Sequence, residues 1–88
     1  MSNIQVYTWT ICPFCVRAKD LLKRKGLAFE EINLDGKDDE LSALRARTGL
    51  RTVPQIFING KLIGGFSELA ALDSRGELDK MIAASPAT

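Results

Sequence analysis

The sequence predicts an α/β layer architecture, a four-stranded mixed sheet with helices on its faces, in the order β-α-β-α-β-β-α followed by a short helical segment. Three observations lead there. Short runs of β-formers alternate with segments whose apolar residues recur every three or four positions. Asn59-Gly60 joins two short apolar runs, as in a hairpin. The chain has 88 residues, enough for one small core and too few for two, so residues 1–88 are expected to form one domain.

Each element has its own signal. In NIQVYT, Ile4, Val6 and Thr8 alternate with other side chains as a half-buried strand does. From Pro13 to about Lys25, Cys15, Ala18, Leu21 and Leu22 fall on one helical face, Arg17, Lys19, Lys23 and Arg24 take the other, and Gly26 marks the stop. A second strand is expected over residues 28–33. Residues 35–48 read as the next helix, with Asp38, Asp39 and Glu40 near its positive end, Arg45 and Arg47 near its negative end, and Gly49 beyond. Gln55–Ile58 and Lys61–Ile63 then pair across Asn59-Gly60, because a type I′ turn needs positive φ at both central residues. Ser67 is the expected cap of a helix running to residues 73–75, with Gly76 ending it. Leu78, Met81 and Ile82 mark a last helical segment before a frayed SPAT tail.

The totals narrow the function. A formal net charge of +1, with both signs interspersed, suggests neither a nucleic-acid nor a membrane-surface partner. No apolar run reaches the roughly 20 residues needed to span a bilayer, and MSNIQVYT lacks the basic and apolar regions of a signal peptide. The expectation is a soluble cytoplasmic monomer. In that compartment cysteines are kept mostly reduced, which directs attention to redox or metal chemistry.

Both cysteines lie in TWTICPFC, with two residues between them. Cys12 ends the strand-to-helix loop, and Pro13 suits the first helical position, where no N–H is required. Cys15, three residues on, comes near Cys12 on one face. A thiol at a helix N-terminus meets unpaired N–H groups and the positive end of the dipole, which can lower its pKa from about 8.5 into the ~3.5–7.5 range. Cys12 is therefore the candidate nucleophile. Cys15, expected to be buried with a higher pKa, is the candidate resolving thiol. Other uses fit less well. A structural zinc site wants four ligands, and two cysteines with no histidine would have to recruit carboxylates. A structural disulfide closing so short a loop would contribute only roughly 2 kcal/mol, and the cytosol would tend to reduce it. An inert buried cysteine accounts for one thiol but not for the pair between strand and helix.

VYTWTICPFC, RTVPQIFING and GGFSEL, in that order, cover nearly the whole chain and together resemble a dithiol glutaredoxin. The usual thioredoxin loop differs, with Trp directly before the first Cys and Gly-Pro between the two. The resemblance implies a thioredoxin fold, a cis peptide before Pro54, and glutathione-dependent reduction of glutathione mixed disulfides and some protein disulfides. Glutathione is then a cosubstrate, no cofactor or metal is held permanently, and the protein partners are glutathionylated or disulfide-containing. The implied glutathione groove comprises Phe14, Arg51, Thr52, Val53, Pro54, Gly65, Phe66, Ser67 and Glu68. Val53, held extended by the following proline, can pair its backbone with glutathione's cysteinyl unit. The helix opened by Gly64-Gly65 offers N–H groups to the γ-glutamyl carboxylate, and Glu68 matches the family's acidic contact to the γ-glutamyl ammonium.

The chain also departs from the family pattern. Trp9 stands where many members carry the Lys that meets glutathione's glycine carboxylate, so Arg51, whose fork can clasp a carboxylate, is the substitute candidate. Trp9 is expected to pack, as core or as a platform. Phe14 replaces the commoner Tyr, keeping the ring and losing the hydroxyl. Lys19 can add positive field near Cys15, although its place on the charged face suggests solvation. An iron–sulfur cluster held between two subunits by Cys12 and glutathione is the alternative reading, and Pro13 argues against it because cluster-binding relatives usually have Gly or Ser there. A redoxin fed directly by an NADPH-dependent reductase is a third.

Overall fold

The computed structural model describes residues 3–83; the expected SPAT tail lies outside them. The elements are β1 (Ile4–Thr8), α1 (Pro13–Arg24), β2 (Glu30–Asn33), α2 (Asp38–Thr48), β3 (Gln55–Ile58), β4 (Lys61–Gly64), α3 (Phe66–Ser74) and α4 (Glu77–Ala83). The strands form one sheet in the order β2-β1-β3-β4, with β2 parallel to β1 and the other two pairings antiparallel. This is the thioredoxin fold, the mixed sheet expected from the sequence.

Alternation along β1 sends Ile4, Val6 and Thr8 into one face, where α1, α3 and α4 cover them. Ala18, Leu21 and Leu22 of α1 meet Ile56 and Ile58 of β3, and Leu69 and Leu78 close the cluster from α3 and α4. Every residue of β3 is buried, as befits a strand covered on both faces. The opposite face carries a smaller cluster. There Leu44 of α2 packs with Leu34, Val53, Phe57 and both cysteines, and Tyr7, Trp9, Ile32, Leu41 and Leu62 fill in around them. The hairpin is as expected, with Asn59 at φ 53° and Gly60 at φ 81°.

Three boundaries differ from expectation, each through a non-local partner or a competing cap. Only Glu30–Asn33 finds a register on β1, so β2 starts two residues late. The second helix begins at Asp38, because Asp35 and Gly36 form a turn and the Asp35 carboxylate is used elsewhere. The third helix is capped by Gly65 and not Ser67: Glu68 folds back so that Oε1 accepts the Gly65 N–H at 2.7 Å, leaving Ser67 inside the first turn.

Candidate active site

The cysteine loop emerges where β1 ends and is held from the side by the chain following β2. The Leu34 N–H donates to the Thr8 carbonyl at 2.8 Å, which extends the β1–β2 ladder by one bond. The Thr10 N–H donates to Asp35 Oδ1 at 3.1 Å, and Asn33 Nδ2 donates to Thr10 Oγ1 at 3.0 Å. The Thr10 hydroxyl, and then its N–H, hold the Asp35 carboxyl below its ordinary pKa. Asp35 thus braces the loop as an anion at neutral pH.

Cys12 is the N-cap of α1, with an extended backbone, and Pro13 fills the first helical position. Its sulfur accepts the Cys15 N–H at 3.1 Å. A sulfur so placed takes one of the donors that the helix leaves unpaired, an arrangement that favours thiolate once the pair is reduced. Cys12 and Cys15 are joined as a disulfide, with Cα atoms 5.2 Å apart. Cys15 is 1% exposed and Cys12 9%, so Cys12 is the more accessible residue of the pair. Around it the surface is apolar: Ile11, Phe14 and Val16 are all exposed.

Across from the pair the Val53–Pro54 peptide is cis, as the resemblance implied. The Val53 carbonyl oxygen lies 3.7 Å from Cys12 Sγ. Gln55, fully buried, anchors this segment by donating from Nε2 to the carbonyls of Leu50 and Thr52, each at 3.1 Å. A pocket of about 200 Å³ opens beside it. Phe14 walls one side, Thr52, Val53 and Pro54 the floor, and Gly65, Phe66, Ser67 and Glu68 the other side. The Phe14 and Phe66 rings stand 6.2 Å apart between centroids. Gly64, at φ 123°, is tight against this wall; a Cβ there would sit 2.9 Å from Glu68 Cγ and Oε1.

Eight of the nine groove residues expected from the sequence therefore come together. Arg51 does not line the pocket; it is exposed, and its carbonyl accepts from Arg45 Nε at 3.0 Å. Trp9 is half-buried against the cysteine cluster, the packing role expected of it. Lys19 is not merely solvated, since Nζ meets Glu31 Oε2 at 3.0 Å. The Thr8 hydroxyl donates to the same oxygen at 2.7 Å. The Asp35 brace was not foreseen, because its partner Thr10 is 25 residues away.

A sheet of this topology, with a Cys-x-x-Cys pair capping the first helix and a cis proline facing it, defines a thiol–disulfide oxidoreductase of the thioredoxin fold. The glutaredoxin family model matches residues 4–63. The chain belongs to the glutaredoxin family. It is 51% identical over 86 residues to a probable glutaredoxin of Synechocystis sp., covering 97% of this chain and 79% of that one. With glutaredoxin 3 of Escherichia coli it shares 46% identity over 82 residues, 93% of this chain and 99% of the relative. Among solved structures, a buckwheat glutaredoxin–glutathione complex superposes with a TM-score of 0.88 at 35% identity, over 93% of this chain and 77% of the other.

Proposed function

We propose that the protein reduces mixed disulfides between proteins and glutathione, and some protein disulfides, with glutathione as the reductant. The observation that carries this reading is the helix-capping sulfur of Cys12 beside a pocket walled by Phe14, the cis Val53–Pro54 segment and the start of α3. Glutathione in that pocket pairs its cysteinyl backbone with Val53 and sets its γ-glutamyl carboxylate on the N-terminus of α3. Glu68, already turned toward Gly65, presents its second oxygen to the ammonium. Arg51, exposed next to the pocket residue Thr52, takes the glycine carboxylate.

The Cys12 thiolate attacks the glutathione sulfur of the mixed disulfide. A Cys12–glutathione disulfide forms, the protein–sulfur bond breaks, and the protein leaves as thiolate. A second glutathione thiolate attacks the bound glutathione's sulfur, releasing glutathione disulfide and restoring the Cys12 thiolate. With a protein disulfide, Cys12 attacks first, the Cys15 thiolate displaces the protein by attacking Cys12, and two glutathiones then reduce the Cys12–Cys15 bond. The inward position of Cys15 suits a thiol that acts only on a neighbour. The reaction takes place in a reducing cytoplasm, with the protein as a monomer.

The test is glutathione-dependent reduction of a glutathionylated peptide by the wild type, Cys12→Ser and Cys15→Ser, side by side. Activity should persist in Cys15→Ser and vanish in Cys12→Ser. An inactive wild type would remove the glutathione assignment, and an active Cys12→Ser would remove the nucleophile.

A further inference from the structure

The cations of α1 fall into two groups. Lys19 is paired with Glu31 at 3.0 Å, and Lys25 bridges Asp73 and Asp79 at 2.8 and 3.0 Å. Arg17, Lys23 and Arg24 are exposed and make no ion pair among the described residues. Arg17 and Arg24 follow Phe14 on one side of the helix, and Asp20 and Lys23 widen that stripe around it. They line a cavity of about 410 Å³ whose fifth wall is Phe66. Phe66 also lines the glutathione pocket, and the Arg17 guanidinium lies 5.3 Å from the centroid of the Phe14 ring that walls it. Two chambers thus share an aromatic partition, one small and beside Cys12, the other larger and lined by three cations against one carboxylate. Of the acids near this end of α1 outside the chamber, Asp73 and Asp79 are occupied by Lys25, and Glu31, paired with Lys19, also feels the charge of Lys23.

We infer that this second chamber is a docking surface for an acidic segment of the protein substrate, adjoining its glutathionylated cysteine. The inference rests on the glutathione reading above and specifies the client. Charge complementarity selects the occupant, because three cations against the single carboxylate of Asp20 leave a net positive chamber that attracts carboxylates and repels a basic chain. The reach is also fixed. At 1.5 Å per residue, Arg17 lies roughly 8 Å and Arg24 roughly 18 Å along the helix from Cys12. An extended peptide covers about 3.3 Å per residue, which puts the favoured Asp and Glu about two to six positions from the modified cysteine. The near-neutral net charge of the whole chain conceals this local imbalance.

The experiment compares kcat/KM for three glutathionylated peptides, with acidic, neutral or basic residues at those positions on either side of the cysteine, against the small mixed disulfide of cysteine and glutathione. The wild type should favour the acidic over the basic peptide by about tenfold at low salt, with the preference fading as ionic strength rises. Lys23→Glu with Arg24→Glu should abolish or reverse that ratio. Lys61→Glu with Lys80→Glu, which changes net charge equally on exposed residues outside the stripe, should leave it intact. Turnover of the small disulfide without peptide preference would overturn the docking surface while leaving the glutathione reading in place. An equal loss in both double variants would also overturn it, as an effect of net charge alone. Failure of the wild type on the small disulfide would instead remove the glutathione reading itself.

Discussion

The two faces of the sheet are built differently. On one, α1 alone contributes three buried residues, Ala18, Leu21 and Leu22, and with α3 and α4 it seals a continuous aliphatic layer. On the other, α2 buries a single side chain, Leu44, and two cavities of about 460 and 310 Å³ open beside the helix, both lined by Tyr7 and Arg47 and the smaller one by Leu44. Arg47 covers Phe57 with its guanidinium, 5.1 Å above the ring centroid, where an aliphatic side chain would seal more completely. The cysteines belong to this thinner cluster. The contrast teaches that close packing is concentrated on one side, leaving the reactive pair beside a helix that buries little of itself.

Truncation on each face tests that contrast. The largest effect is expected from Leu22→Ala, since a fully buried leucine amid close-packed neighbours leaves a cavity that little can fill, costing about 3–5 kcal/mol in urea unfolding. Leu44→Ala should cost less, about 2 kcal/mol, because the adjoining cavity gives α2 room to settle. Amide exchange should accelerate across α2 and not across α1. A Leu44→Ala variant as damaged as Leu22→Ala, or faster exchange in both helices, would abolish the distinction. The smallest effect is expected at Glu31, which joins β2 to α1 through Lys19 and to β1 through Thr8. The Thr8 hydroxyl and then the Lys19 ammonium hold its pKa below the ordinary glutamate value. The stabilisation is thus present above about pH 4.5 and is lost as pH falls through the lower folded value. Glu31→Gln should lower stability by less than about 1 kcal/mol at pH 7, and denaturation curves of variant and wild type should converge in acid.

The well-sealed face was legible in the sequence, because Ile4, Val6 and the apolar set of α1 repeat with periods that belong to strand and helix. The hairpin was equally plain from Asn59-Gly60. The other face was harder to read. Asp35 looked like part of an acidic helix start, and only the position of Thr10 in space shows its carboxylate bracing the cysteine loop. On the sealed face one reading also slipped: Ser67 of α3 looked like a cap, but Glu68 reached the Gly65 N–H first. The cysteine pair announced itself through spacing and context, whereas most of the groove was legible only through family resemblance, since its walls come from segments about 40 and 50 residues apart. Arg51 was chosen for its chemistry, and a sequence does not say which way an exposed guanidinium sits. The stripe of Arg17, Lys23 and Arg24 was visible as a charged face, but nothing in the chain alone told paired cations from free ones.

Trp9 is the chain's single tryptophan, and it packs in the cluster that holds Cys12 and Cys15. Its indole emission is therefore expected to change when those sulfurs bond to each other, which a fluorescence spectrum of the oxidised and reduced protein would check. With that change in hand, the redox state of the pair would be read in a fluorimeter without attaching a dye.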